Sequence, residues 1–172
     1  ANPNYDLSQI FTTIAHEGYP GHLYQCVYFR SSNPAPIRNV LNYLGYDEGW
    51  ATYVELYSYR LAGLDESLAS LLEANMIATH CIYSRTDIGI HYDGWTKKDV
   101  ENFLSMFLEK ESIDIVYETL LEEPCLYLPY SIGYLEIMEL HNTAMDTLGQ
   151  KFNLKEFHTF LLDVGPANFE TI

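Results

Sequence analysis

The stretch DLSQIFTTIAHEGYPGH, residues 6–22, decides how the chain is read. Its first half is helical. Ile10, Phe11, Ile14 and Ala15 recur at helix spacing, and Asp6 with Gln9 forms a capping-box pattern ahead of them, so a helix should start near residue 7. Its second half works against a regular helix. His16 and His22 stand six residues apart, a rotation of about 240° on an ideal helix, so a straight helix cannot turn both toward one point. Pro20 has no amide proton and opposes the carbonyl of His16, while Gly18 and Gly21 tolerate unusual backbone angles. The expectation is a kinked helix whose bulge absorbs two residues and lets the imidazoles converge. The alternative is a helix ended by a Gly-Pro-Gly turn, with two incidental histidines.

Outward from this stretch, helical periodicity continues and no apolar/polar alternation bounded by hairpin turns is found, which predicts an all-α, multi-helix fold. Residues 33–36 form a break. A second helical segment is expected over about Val40 to Ala62, perturbed near Gly45 and closed by Gly63. A third should follow Asp65, carry Leu68, Leu71, Leu72, Asn75 and Met76 on one face, and end around Ile88 to Tyr92. Thr96 with Asp99 caps a fourth, Ser112 opens a fifth, and Pro124 precedes a long apolar helix over about Leu126 to Leu148. Asn153 with Glu156 caps the last. Trp50 and Trp95 are expected as packing anchors. No internal repeat or long linker divides the chain, so residues 1–172 are read as one helical domain.

Nine Lys plus Arg against 24 Asp plus Glu give a net charge of −15, a field that repels phosphate backbones and anionic membranes. Nucleic-acid partners are therefore excluded, and without an apolar run of about 18 residues so is membrane insertion of this segment. The chain reads as soluble; a cytoplasmic or exported location is left open. The sequence opens on Ala1 and almost at once enters its densest motif, which suggests a piece of something longer whose N-terminal part would be a partner. Cys26, Cys81 and Cys125 form no CxxC pair and are expected to be small buried hydrophobes.

The chemistry lies in HEGYPGH, residues 16–22: two imidazoles suited to a borderline metal such as Zn2+, with a carboxylate beside the first. In the common HExxH arrangement the histidines sit four apart on one helix face. If the longer spacing here is absorbed, His16 and His22 are metal ligands and Glu17 is the base that takes a proton from a metal-activated water. Catalytic zinc sites usually carry a third protein ligand. Glu48, in DEGWATYVE over residues 47–55, is the best candidate, with Glu55 its rival on helical spacing.

HEGYPGHLYQ (16–25), DEGWATYVE (47–55), RTDIGIHYDGWT (85–96), PCLYLPYSIGYLEI (124–137) and FHTFLLDVG (157–165) together resemble the bacterial family called domain of unknown function 885. That resemblance covers nearly the whole chain. It implies the C-terminal, active-site portion of a larger all-helical protein, similar to gluzincin metallopeptidases of the thimet-oligopeptidase and Taq-carboxypeptidase groups. There the glutamate ligand follows the second histidine at about the interval that separates His22 from Glu48, which favours Glu48 over Glu55. The resemblance also points to Tyr130 as a donor to an oxyanion; a tyrosine packed in a tyrosine-rich helix is the plainer reading. It marks Arg85, Asp87, His91 and Tyr134 as substrate-binding residues or supports of the ligands, although Arg85 and Asp87 equally suit a brace at a helix end. Leu126 and Ser131 depart from the family pattern, where Gln and Lys are common, and put substrate contacts in that segment in doubt.

His80, His141 and His158 fall in apolar helical patterns and are read as structural. Glu122, Glu123, Glu136 and Glu139 are read as solvated faces. The leading functional expectation is a zinc-dependent peptidase acting on a peptide or small amide. A metal-dependent amidase of other substrates and an inactive helical scaffold are the rivals, and an isolated fragment need not be active.

Overall fold

The computed structural model describes residues 7–172, so Asp6 of the expected capping box lies outside the described residues. Those residues form eight α-helices and no strand: α1 (Leu7–Glu17), α2 (His22–Ser31), α3 (Leu44–Ser58), α4 (Glu66–His91), α5 (Lys97–Leu104), α6 (Lys110–Glu122), α7 (Leu128–Leu148) and α8 (Leu154–Val164). Short 3-10 turns cover Pro36–Asn39, Tyr59–Leu61 and Gly149–Lys151. None of the described helices is long and apolar enough to cross a membrane.

Several helix limits are set by the residues expected to set them. The Asp65 carboxylate accepts from the Ser67 amide, Thr96 and Asp99 form a reciprocal capping box, and the Asn153 side chain accepts from the Glu156 amide. Gly63 leaves α3's 3-10 extension with φ of +72°, a backbone state that favours glycine. Other limits differ. The third helix in the chain starts at Leu44, and Gly45 does not perturb it; Val40 lies 75% exposed outside it. α6 opens at Lys110 with Glu109 in the capping position, not at Ser112, and α7 begins at Leu128 with Pro129 in its first turn.

α3 is the centre of the molecule, with ten of its residues buried from Tyr46 to Ser58. It packs most extensively on α7 and next on α1. The α3–α7 contact is backbone against backbone: a Cβ on Gly49 would lie 2.5 Å from the Gly133 carbonyl carbon, and one on Gly133 only 2.0 Å from the Gly45 oxygen. Trp50, Tyr53 and Leu56 of α3 join Ile137 of α7 and Phe157 and Leu161 of α8 in the main core. A second core joins Val100 and Leu104 of α5 to Ile113 of α6, capped by Trp95. Both tryptophans are thus packing anchors.

Two burial expectations fail. On α4 the inward stripe runs through Ala69, Leu72, Met76 and Ile77, rotated from the expected one, so Leu68 and Leu71 stay exposed. All three cysteines are exposed, because each lies on an outer helix face or, for Cys125, in the α6–α7 connection.

The glycine contact makes a test. Gly133→Ala puts a methyl group against α3 backbone that has no room to move, and overpacking of this kind costs about 1–3 kcal/mol. Thermal unfolding should show a clear loss of stability relative to wild type, with Gly63→Ala, whose Cβ position is open space but whose φ is positive, as a control for strain alone. An unchanged midpoint for Gly133→Ala would show that the helices can separate freely.

Candidate metal centre

α1 does not kink through the motif, as the sequence led one to expect; it stops at Glu17 and a new helix starts at His22. The turn between them is held by its own backbone. Gly18 donates to Ile14 O at 2.9 Å, Gly21 reaches back to Ala15 O at 2.8 Å, and Tyr24 donates to Gly18 O at 3.1 Å. The Tyr19–Pro20 peptide is cis. The Pro20 carbonyl accepts from the Trp50 indole at 3.0 Å, which ties the turn to α3. Gly21 lies so close to the end of α1 that a Cβ there would be 1.7 Å from the His16 oxygen. The correction has a physical cause: with no amide proton on Pro20 and glycine on both sides, ending the helix satisfies more backbone groups than bulging it.

The turn nevertheless brings both imidazoles to one place. His16 lies in the last turn of α1, His22 starts α2, and their rings meet edge to face with centroids 4.8 Å apart. Glu48 of α3 completes the group, its Oε2 lying 3.5 Å from His16 Nε2 and 3.3 Å from His22 Nε2. One ligand atom from each of the three lies within 4.8 Å of the others. Two donors bonded to one tetrahedral zinc at about 2.1 Å are themselves about 3.4 Å apart, so the two Glu48 contacts have the spacing of a shared ion. Glu48 Oε2 is buried and has no hydrogen-bond partner. A buried oxygen left in this state is costly unless a cation completes it.

Glu55 is the residue the ligand question turns on. Two helical turns place it on the same side of α3 as Glu48, yet its Oε2 bonds His16 Nδ1 at 2.8 Å rather than joining Glu48 and His22. That contact fixes the orientation of the ring and leaves Nε2 facing Glu48, the usual way a carboxylate supports a ligand histidine. Burial lowers the His16 pKa, but the carboxylates of Glu48 and Glu55 outweigh it and hold the imidazole up at about 9. Burial likewise opposes ionisation of Glu48, and the two imidazoles overcome it to bring its carboxyl down to about 2.

Tyr130, in the first turn of α7, lies beside this group. Its ring is nearly parallel to that of His16 at 6.0 Å, and burial, Glu48 and Glu17 push its phenol up to about 12, so it keeps its proton. Glu17 is exposed and is close enough to Tyr130 for its charge to be felt there. His80 of α4, expected to be structural, packs near the Tyr130 ring with centroids 5.7 Å apart, and burial lowers its pKa while Glu55 raises it. No spacing in the sequence links His80 to a tyrosine fifty residues later. His158 and His141 do have structural roles, the first bonded to Tyr53 at 2.8 Å and the second packed on Phe152 and Phe157.

The remaining candidates sit apart from the ligand group. Arg85 pairs with Asp93 at 2.9 Å and lies over the Trp95 ring at 4.3 Å, bracing the end of α4, though through Asp93 and not Asp87. His91 bonds Leu120 O at 2.8 Å and is 3.8 Å from the buried Asp87, which links α4 to α6. Tyr134 is buried one turn beyond Tyr130, beside Tyr53, Arg60 and Glu73. Ser131 bonds Ser84 across α4 and α7 at 2.7 Å.

The described residues are therefore all-helical and bring together a partly buried His-His-Glu cluster. The chain belongs to the family described as bacterial protein of unknown function (DUF885), whose model matches residues 3–171. It is similar to the solved structure of a candidate lipoprotein from Colwellia psychrerythraea, at 30% identity and TM-score 0.75, over 92% of this chain and 28% of that one. It shares its fold with a candidate lipoprotein of unknown function from Shewanella oneidensis, at 22% identity and TM-score 0.81, over 96% of this chain and 31% of that one. The chain thus spans about a third or less of the length of these relatives. No curated protein matches it.

The two pKa shifts set a pH dependence for the metal-free protein. His16 rises from 6.5 to about 9, so its pairing contributes fully below pH 6.5 and is lost as pH climbs toward 9; Glu48 falls from 4.5 to about 2, so its share is present above pH 4.5 and lost toward 2. With chelator present, the melting temperature should decline from pH 6.5 to 9, and less so in Glu55→Gln. Identical profiles for the two proteins would remove Glu55 from the cluster's energetics.

Proposed function

We propose that the chain is the zinc-binding part of a hydrolase that cleaves peptide bonds, with His16, His22 and Glu48 holding the metal. The observation that carries this reading is the meeting of two imidazoles and a carboxylate from three helices around a buried oxygen with no hydrogen-bond partner. Two histidines and a glutamate are a zinc donor set that leaves room for a fourth, exchangeable ligand. Bound zinc would supply a Lewis acid that polarises a carbonyl and makes water a nucleophile near neutral pH.

The chain's own residues would do the rest. Glu17 follows ligand His16 directly and projects into solvent beside Tyr130, where its carboxylate takes a proton from the attacking water and returns it to the leaving amine. Tyr130 stays protonated, as a donor to the charge that develops on the carbonyl oxygen must. Glu55 acts through His16, holding the ring so that Nε2 faces inward.

An inactive scaffold is favoured by one observation, the mutual compensation of His16, Glu48 and Glu55 without a metal. Elemental analysis separates the two readings. Full-length protein purified without chelator should carry about one zinc per chain, and His22→Ala and Glu48→Ala should each lose it. Glu17→Gln should keep the zinc and lose peptide turnover by about 10²–10⁴-fold, the usual weight of a positioned acid–base group. Absence of zinc after reconstitution at neutral pH would overturn the proposal in favour of the scaffold.

A further inference from the structure

Away from the ligand group, a cavity of about 340 Å³ lies where α3, α4, α7 and the start of α8 meet. None of His16, His22 and Glu48 lines it. Tyr53 and Tyr57 follow Glu48 by five and nine positions, a rotation of about 140° and 180° on the helix, so they leave α3 on the side away from the metal ligands. Leu56, Met138 and Leu154 supply apolar wall, together with the rings of Tyr53, Tyr57 and Tyr134. The Tyr53 hydroxyl is bonded to His158 at 2.8 Å, and His141 is packed edge-on against Phe152 and Phe157, so both serve as wall.

Arg60 and Glu73 bring one charge of each sign to this lining, 3.2 Å apart. Their pairing is loose. Arg60 is 61% exposed, and of its guanidinium only Nη2 reaches Glu73, at 3.2 and 3.4 Å from the two oxygens. The other N–H groups of the fork are left for a second carboxylate, and an ion pair this exposed contributes little by itself. Tyr134 stands close to both charges: burial and Glu73 push its phenol up while Arg60 draws it down.

The charge pattern selects the ligand. A simple anion would meet Glu73 on a chain of net charge −15, and a simple cation would meet Arg60. A molecule that carries both charges close together satisfies the pair. The volume is at the low end for ligand pockets, so it suits one small molecule with an apolar tail and not a length of peptide.

We propose that this cavity binds one free apolar α-amino acid as its zwitterion, with the carboxylate on Arg60, the ammonium on Glu73 and the side chain among Tyr57, Tyr134 and Met138. The site depends neither on zinc nor on peptide cleavage.

Calorimetry on the full-length protein tests it with L-leucine, the anion N-acetyl-L-leucine, the cation L-leucinamide, and glycine. Leucine should bind with a Kd below about 1 mM and at least about tenfold more tightly than the other three. Arg60→Met and Glu73→Gln should each weaken leucine binding at least about tenfold, with melting temperatures near that of wild type. Their residual preferences should be opposite, Arg60→Met favouring leucinamide over N-acetyl-leucine and Glu73→Gln the reverse; Arg60→Lys should keep part of the leucine affinity. His22→Ala should bind leucine as wild type does, which separates this site from the metal ligands and leaves the peptidase reading to its own test. No leucine binding at about 10 mM, equal affinity for leucine and its two derivatives, binding unaffected by Arg60→Met, or binding lost in His22→Ala would each overturn the assignment.

Discussion

The backbone contact between α3 and α7 is the constraint on which the site depends. Gly45, Gly49 and Gly133 remove every side chain from the crossing, and the helices come together until backbone touches backbone. That closeness fixes the register of the residues on either side of it. Glu48 precedes Gly49 and Tyr130 precedes Gly133 by three positions, so the crossing that admits no methyl group also sets the carboxylate against the phenol. Two residues after Glu48, Trp50 reaches the Pro20 carbonyl and fixes the turn that carries His22. One helix therefore registers three of the groups that matter.

Electrostatically the cluster is partly compensated before any metal is considered. Two carboxylates face one imidazolium and a second imidazole in a setting that disfavours each charge taken singly. On the proposed reading, a divalent cation entering this group would replace the His16 proton and meet a carboxylate whose buried oxygen has no hydrogen bond to give up. Affinity and protonation are thus in direct competition at His16, and Glu55 biases the outcome: it raises the basicity of the ring as a ligand and also strengthens the proton's hold on it.

Much of this was legible in the sequence, and the reasons for the exceptions are specific. Periodicity and caps at Asp65, Thr96 and Asn153 marked the helices because those signals are local. Residue type and spacing singled out His16 and His22, and the family resemblance favoured Glu48 over Glu55; the three side chains meet, although the expected kinked helix proved to be two helices joined by a turn. Spacing could not reveal which way Glu55 faces, since Glu48 and Glu55 share a side of α3 and only the position of α1 decides which atom of His16 each one meets. Arg85, Asp87 and His91 were marked by the family resemblance, which says nothing of their contacts; in the fold, Arg85 and His91 brace α4 against the Trp95 segment and α6. His80 carried no signal at all, because its neighbour Tyr130 arrives through the packing of α7 on α4.

The division of labour within the site follows from where its parts lie. Glu48 belongs to α3 and His16, His22 and Tyr130 are brought to it by the ends of α1, α2 and α7, whereas Glu17 is exposed at the end of α1. Residues that bind the metal must be rigid, because an error of an ångström leaves a buried charge incompletely coordinated. A residue that is to act on a substrate must be reachable, and Glu17 is exposed where α1 ends. The relatives are more than three times as long as this chain, so further walls can be added around the open side without disturbing α3. On the proposed reading, the chemistry stays at the glycine crossing and the choice of substrate falls to the surfaces that surround it.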